Sequence, residues 1–414
     1  MFPTLSSALS ALTADQMAIS VTGNNLANLN TTGFKASTVQ FSDLMSEMMG
    51  ANSSTQVGMG VGPIDTAAQY TQGTNTTTGA PLDVAIQGNG FFVVNDPGTN
   101  EQLYTRDGAF QLNAQGQLET ANGQLVQGWT ATNGVVNANG PVGNLVVPTG
   151  SVIAATPTAN MSADINLDAS SAVGTNFNAP IQIYDSLGEA HTATITFTNE
   201  GDGTWDYSVS MPDSDFTTAP GGPLTTGTLE FDGNGNLISP AATDGPVQIP
   251  ITGLADGAND TTVNWNLFDA NGNQYVTQYA QTSGISNPQQ DGSPAGQVTQ
   301  VAIANGGTVV ATYSNGAQVT VGQLALASIA NPQSLVSVGD NNLQVSAASA
   351  APAIGAANSG GLGQVLAGSL ESSTVDIATE FTNLIALQQS YQANSKIVTT
   401  VDQLAQSTIA LIQA

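Results

Sequence analysis

Apolar residues recur at helical spacing at the two ends of this chain, and the long middle does not share the pattern. From the N-terminus they fall at Leu5, Ala8, Leu9, Leu12, Ile19 and Leu26, close to the three-to-four-residue repeat of one helix face. Pro3 suits a first helical turn, and the pattern fails in the Asn- and Gly-rich stretch from Asn28 to Gly33. The C-terminus runs longer, through Val375, Phe381, Leu384, Ile385, Tyr391, Val398, Val401, Leu404, Ile409 and Ile412. Ile377, Phe381 and Leu384 keep the short spacing, and Tyr391, Val398, Ala405 and Ile412 recur every seven residues. Gln388, Ser395 and Asp402 interrupt the stripe, so the spacing predicts a long helix with a coiled-coil-like seam of imperfect register. Neither helix has a partner nearby in sequence. Their apolar faces fit each other, copies of themselves, or an adjacent β domain.

The middle reads as strand and turn. "FFVVNDPGTNEQLYTRDGAFQLNAQGQLETANGQLVQGW" alternates short apolar runs with Asp-Gly, Asn-Gly and Gln-Gly punctuation, the signature of β-hairpins. "IQIYDSLGEAHTATITFTNEGDGTWDYSVSMP" reads as three short strands, followed by a Pro- and Gly-dense loop from Pro212 to Pro223. A third set runs "QVTQVAIANGGTVVATYSNGAQVTVGQLALASI". Stretches rich in Ala, Thr, Ser and Gly near 150–175 and 346–364 read as connectors. The expected fold is mainly β with terminal α-helices, in a nested, discontinuous multidomain chain. Residues 1–30 with 370–414 form a terminal helical domain and 31–75 an extended connector. Residues 76–150 with 291–365 form an inner β domain, and 151–290 an outer inserted β domain.

Charge narrows the partners. Three Lys and Arg face 30 Asp and Glu, a formal net charge of −27. Without a cationic surface to release counterions, nucleic acid and anionic membranes are not expected partners. No run approaches 18 apolar residues, so no membrane insertion is expected. No Lys or Arg precedes Lys35, and Leu5, Leu9 and Leu12 are spaced rather than continuous, so no cleaved secretory signal is expected. The absence of cysteine removes disulfides, thiolate metal sites and Cys nucleophiles together.

Catalytic material is thin. His191 is the only histidine, in the strand-like "AHTATITF", and a Ser186–His191–Asp185 arrangement lacks any Gly-x-Ser-x-Gly elbow. "DGNGNL" from Asp232 and "DANGNQ" from Asp269 begin like calcium loops. An EF-hand needs Gly at position 6 and Glu at position 12. Here Leu237 and Gln274 hold the first place and Thr243 and Ala280 the second, so hairpin turns are the better reading. "GMGVG" at 58–62 has neither the Lys-Ser/Thr nor the following helix of a phosphate cradle. No catalytic, cofactor or metal residues are assigned, and the chain is not read as an enzyme.

Seven stretches, in order, resemble one family. "NNLANLNTTGFK" (24–35) ends the first helix and carries Asn24, Asn25, Leu26, Ala27, Asn28, Gly33, Phe34 and Lys35. The others are "PLDVAIQGNGFFVV" (81–94), "YTRDGAFQLNAQGQL" (104–118), "YDSLGEAHTATITF" (184–197), "LALASIANPQSLVSVGDN" (324–341), "SGGLGQVLAGSLESSTVDIATEF" (359–381) and "QQSYQANSKIVTTVDQLAQ" (388–406). Together they resemble the bacterial flagellar axial family of rod, hook and hook-associated subunits. Rod members are usually shorter and lack the "DSLGEAHTATITF" block, so a 414-residue chain that has it is similar to the hook members.

The resemblance implies a structural subunit of the flagellar hook, outside the cell, self-assembling into a curved hollow tube that couples rod to filament as a universal joint. It implies that the terminal helices pair as a coiled-coil-like inner layer. Leu5, Leu9, Leu12, Ile19, Leu26, Phe381, Leu384, Tyr391, Val398, Leu404 and Ile412 would then form subunit interfaces. Other implied partners are the rod, hook-cap and hook–filament junction proteins and the flagellar type III export gate. Phe41 and Met45 in "FSDLM" fit a Phe-x-x-x-hydrophobic export element, whose alternative is ordinary packing in a connector. Lys35, one of the chain's three basic side chains, is expected to pair with Asp43, Glu47 or a carboxylate of another subunit. The alternatives are a distal rod subunit and, from a different class, a secreted acidic β-rich adhesin or glycan-active protein.

Overall fold

Helices do form at both ends. In a computed structural model describing residues 3–44, 47–48, 56–62 and 65–412, α1 spans Pro3–Ala27 and α2 spans Ile377–Ile412. At the end of α1 the Asn28 side-chain amide donates to the Asn24 carbonyl at 2.9 Å, satisfying one of the orphan carbonyls a helix terminus leaves. At the start of α2 the Asp376 carboxylate accepts the Thr379 N–H at 2.7 Å, a side-chain N-cap. No helix among the described residues is long and apolar enough to cross a membrane.

The chain divides into two compact units. The first holds residues 1–149, 300–311 and 318–414, so both helices belong to it. Its strands run antiparallel in the order Gln318–Leu324, Leu125–Thr132, Phe91–Asn95, Gln102–Thr105, Asn342–Gln344 and Val336–Gly339. Phe91, Val93, Tyr104, Trp129, Ala325 and Ala327 are buried together on it. Residues 31–75 are not wholly extended connector: Ser37–Gln40 pairs antiparallel with Asp65–Ala68.

The second unit holds residues 150–299 and 312–317. One sheet is an antiparallel meander of Asn176–Tyr184, Ala190–Gly201, Thr204–Ser210, Thr225–Phe231 and Leu237–Ser239. The middle block thus supplies three strands as expected, although Ala190–Gly201 is 12 residues long rather than short. Along it His191, Ala193, Ile195 and Phe197 point inward in strict alternation. The other sheet is built on Asn160–Asp168, which pairs parallel with Thr261–Trp265 and Val276–Tyr279 and antiparallel with Gly284–Gln290. Trp205, Tyr207, Phe197 and Trp265 fill the core of this unit, with Tyr207 and Trp265 edge to face at 5.3 Å.

Asn160–Asp168 corrects one expectation, since 150–175 reads as a low-complexity connector. Met161, Ala163, Ile165 and Leu167 alternate inward between small polar residues, and composition hid the period of two. The Asp232 and Asp269 loops, by contrast, are hairpin turns. Asp232 Oδ1 accepts the N–H groups of Asn234 and Asn236, and Asp269 Oδ1 those of Asn271 and Asn273. Asn113 makes the same turn with Gln115 and Gln117. Each aspartate spends its oxygen on its own backbone.

Candidate assembly surface and its anchoring residues

The two helices lie antiparallel: Asn25 of α1 donates to Glu380 near the start of α2, and Asp15 accepts from Ser390 and Asn394 farther along it. The α1 face turned to α2 is small and polar. Ala8, Asp15, Ala18, Thr22 and Asn25 are its buried members, following a three-four repeat. Asp15 is held by the Ser390 hydroxyl at 3.1 Å and the Asn394 amide at 2.8 Å. A buried carboxylate needs such donors, and these two specify register as well.

This geometry leaves the larger apolar residues beside the seam or outside it. Leu5, Leu12, Ile19 and Leu26 of α1 and Leu384 and Val398 of α2 are half-buried. Leu9, Met17, Phe381, Ile385, Tyr391, Ile397 and Ile409 are exposed, and Leu404 is 67% exposed. The Ile412 side chain lies outside the described residues. Phe41 is exposed and lines a cleft of about 320 Å³ with Val39, Glu380, Asn383 and Leu387, while Met45 lies outside the described residues.

The stretch 24–35 anchors the helix pair to the β structure of its unit. Asn25 acts as a two-sided clamp: its amide donates to the Ser37 carbonyl at 2.8 Å, and its oxygen accepts the Ser37 N–H at 3.0 Å. The Thr31 hydroxyl donates to Asn28, the Phe34 carbonyl accepts from Thr374 N–H, and Asn24 and Ala27 face solvent beside half-buried Leu26. Gly33 has φ +71°, and a Cβ there would meet the Arg106 carbonyl carbon at 2.7 Å, so only glycine fits.

The Glu47 side chain lies outside the described residues, and Lys35 pairs not with Asp43 but with Glu371. Its Nζ lies 2.6 Å from Glu371 Oε1 and donates to the Thr71 carbonyl at 2.7 Å. Arg106 Nη1 reaches the other oxygen of Glu371 at 3.1 Å, and its guanidinium lies 5.3 Å over the Phe91 ring. Glu371 is fully buried, on Ser369–Glu371 just ahead of α2. It also accepts the Gly73 N–H on its side chain and the Gly33 N–H on its carbonyl, both at 2.8 Å. Burial pulls Lys35 and Arg106 below their usual basicity, and pairing with Glu371 works against that pull. Two of the chain's three Lys and Arg side chains thus serve one internal carboxylate. Sequence reading missed Glu371; a single acid in the small-residue run "AGSLESS" was the only local sign of it.

In the second unit His191 lies between two carboxylates, Nδ1 3.0 Å from Asp215 and Nε2 3.2 Å from Asp185. Burial works against the charged ring, but hydrogen bonds and charge from both aspartates outweigh it and raise the His191 pKa. Among the described residues, Asp185, His191 and Asp256 are the one group of potential metal ligands whose ligating atoms converge. Both His191 ring nitrogens face carboxylates rather than Ser186, whose hydroxyl accepts the Asn259 N–H.

Four family models match the chain in order. Residues 5–35 match the flagella basal body rod protein, 85–201 the flagellar hook protein FlgE/F/G D1 domain, 153–293 the flagellar basal body protein FlaE D2 domain, and 366–411 the flagellar basal body rod FlgEFG protein C-terminal region. The flagellar hook protein FlgE of Treponema pallidum is 32% identical over 99% of this chain and 100% of its own. That of Salmonella typhimurium is 32% identical over 98% and 99%, and that of Borreliella burgdorferi 33% over 99% and 100%. Matched end to end by relatives of this one kind, the chain belongs to the flagellar hook protein FlgE family.

Proposed function

We propose that copies of this chain assemble through their paired terminal helices into the curved hollow tube of the flagellar hook, joining rod to filament as a universal joint. One observation carries this reading. The helix pair is closed by alanines and a few polar side chains, while Leu9, Phe381, Ile385, Ile397 and Leu404 stay exposed along it. Side chains of that size each stabilise by about 1.5–3 kcal/mol when fully buried, so their exposure on both helices leaves apolar surface for other subunits to cover. In this arrangement the terminal helices, within 1–30 and 370–414, form the inner layer of the tube. The role is structural, with no substrate.

The subunit leaves the cell through the flagellar type III apparatus, Phe41 and Met45 serving the export gate. It then meets rod, hook-cap and hook–filament junction proteins at the ends of the tube. Electron microscopy of the purified protein, concentrated in moderate salt, tests the central claim. Hollow tubes of uniform diameter are expected; monodisperse monomers at every concentration would sink it.

A further inference from the structure

The sole histidine belongs to the second unit, whereas both terminal helices belong to the first. Asp185, in the turn before Ala190–Gly201, has one oxygen fully occupied. Its Oδ1 accepts the N–H groups of Leu187, Gly188 and Glu189 at 2.8, 2.7 and 2.9 Å. Its Oδ2 faces His191 Nε2 at 3.2 Å. The exposed Asp256 brings a third acceptor, and the ligating atoms of Asp185, His191 and Asp256 all lie within 4.8 Å of one another. On the far side of the ring, Nδ1 faces Asp215 Oδ2 at 3.0 Å.

With the ring proton on Nδ1 donated to Asp215, the Nε2 lone pair and two carboxylates converge on one point. Something positive belongs there. A proton on Nε2 satisfies Asp185 but leaves Asp185 and Asp256 facing each other, whereas one divalent ion satisfies all three. We propose that Asp185, His191 and Asp256 form a binding site for a divalent transition-metal ion, Zn²⁺ first among them, with Asp215 as its positioning residue. One imidazole nitrogen and two carboxylate oxygens are ligands that Zn²⁺ takes readily, usually in tetrahedral geometry with water in an open place. Two carboxylates and a neutral ring balance its charge. A histidine whose other nitrogen donates to a carboxylate is the usual support of a ligating imidazole. Exposed Asp256 marks the side from which ion and water enter. The Asp232 and Asp269 turns lack such a convergence, Oδ1 of each being taken by its own backbone and Oδ2 by the amide of Asn236 or Asn273.

Because the chain has one histidine, its ring nitrogens report on the site directly. Full-length ¹⁵N-labelled protein at neutral pH is titrated with ZnCl₂ and followed by imidazole ¹H–¹⁵N spectra. Nε2 is expected to move to a metal-bound shift, saturating at one equivalent, while Nδ1–H persists; CaCl₂ leaves the ring unchanged. Asp256→Asn and Asp215→Asn each weaken Zn²⁺ binding about 10–100-fold, and Asp232→Asn does not. A ring that stays doubly protonated and unshifted through several equivalents of Zn²⁺ overturns the proposal. So does unchanged affinity in Asp256→Asn, which would place the ion elsewhere on the acidic surface.

Discussion

Glu371 shows how much one side chain can hold together. It joins the 24–35 stretch through Gly33 and Lys35, the chain near residue 73, and Arg106, immediately ahead of α2. Removing one member of a buried ion cluster strands the others without countercharge, at a cost of about 3–5 kcal/mol. Glu371→Gln keeps the shape and removes the charge, so denaturant unfolding of the first unit is expected to show a loss of that size. A loss below about 1 kcal/mol would mean that the two cations find water or other acceptors. Asp291 offers a test in acid. Burial raises its carboxyl, but the N–H groups of Asn160 and Ala159 and the Asn160 amide more than offset this and hold it below its ordinary value of 3.8. A lowered folded pKa gives stability that is complete above the ordinary value and is lost as pH falls through the lowered one. Asp291→Asn is therefore expected to destabilise the second unit at neutral pH and to flatten its loss of stability below about pH 4. Parallel curves for the two proteins would show that Asp291 does not contribute.

At the scale of elements, the helix pair has two kinds of surface with different work to do. The Ala-rich seam, with Asp15 on Ser390 and Asn394 and Asn25 on Glu380, sets direction and register. The outer leucines, isoleucines and phenylalanine contribute little to the single chain. Leu9→Asp or Leu404→Asp should therefore change the stability of the monomer by no more than about 0.5 kcal/mol, as exposed substitutions do. The same variants should abolish tubes, because an unpaired carboxylate buried between subunits costs several kcal/mol. Sedimentation and electron microscopy separate the two effects, and normal tubes from either variant would remove that position from the interface. Of the apolar residues read from their spacing on α2, Leu384 and Val398 are half-buried beside the seam and Tyr391 is exposed, and on α1 large leucines drew attention from the alanines and Asp15 between them.

For the whole molecule the sum of charge dominates. Each subunit brings −27, and with Lys35 and Arg106 committed to Glu371 only Lys396 remains exposed among its Lys and Arg side chains. Close packing of like-charged copies is opposed at low ionic strength, and the Debye length falls from about 30 Å at 0.01 M to about 8 Å at 0.15 M. The critical concentration for tube formation is therefore expected to fall between those two salt levels, as measured by sedimentation; a steady rise would mean that ion pairs dominate the contacts. Sequence by itself determined the local and periodic features: helices at both ends, hairpins at Asp-Gly and Asn-Gly, the turn nature of the Asp232 and Asp269 loops, and the acidity. These depend on residues a few positions apart, where propensity and spacing act directly. Only the tertiary structure decided that Lys35 meets Glu371, 336 positions away, that a low-complexity run becomes the strand Asn160–Asp168 with parallel neighbours, and that small side chains close the helix pair while large ones face outward. Such pairings are chosen by burial against distant partners, and no local pattern records which partner is met.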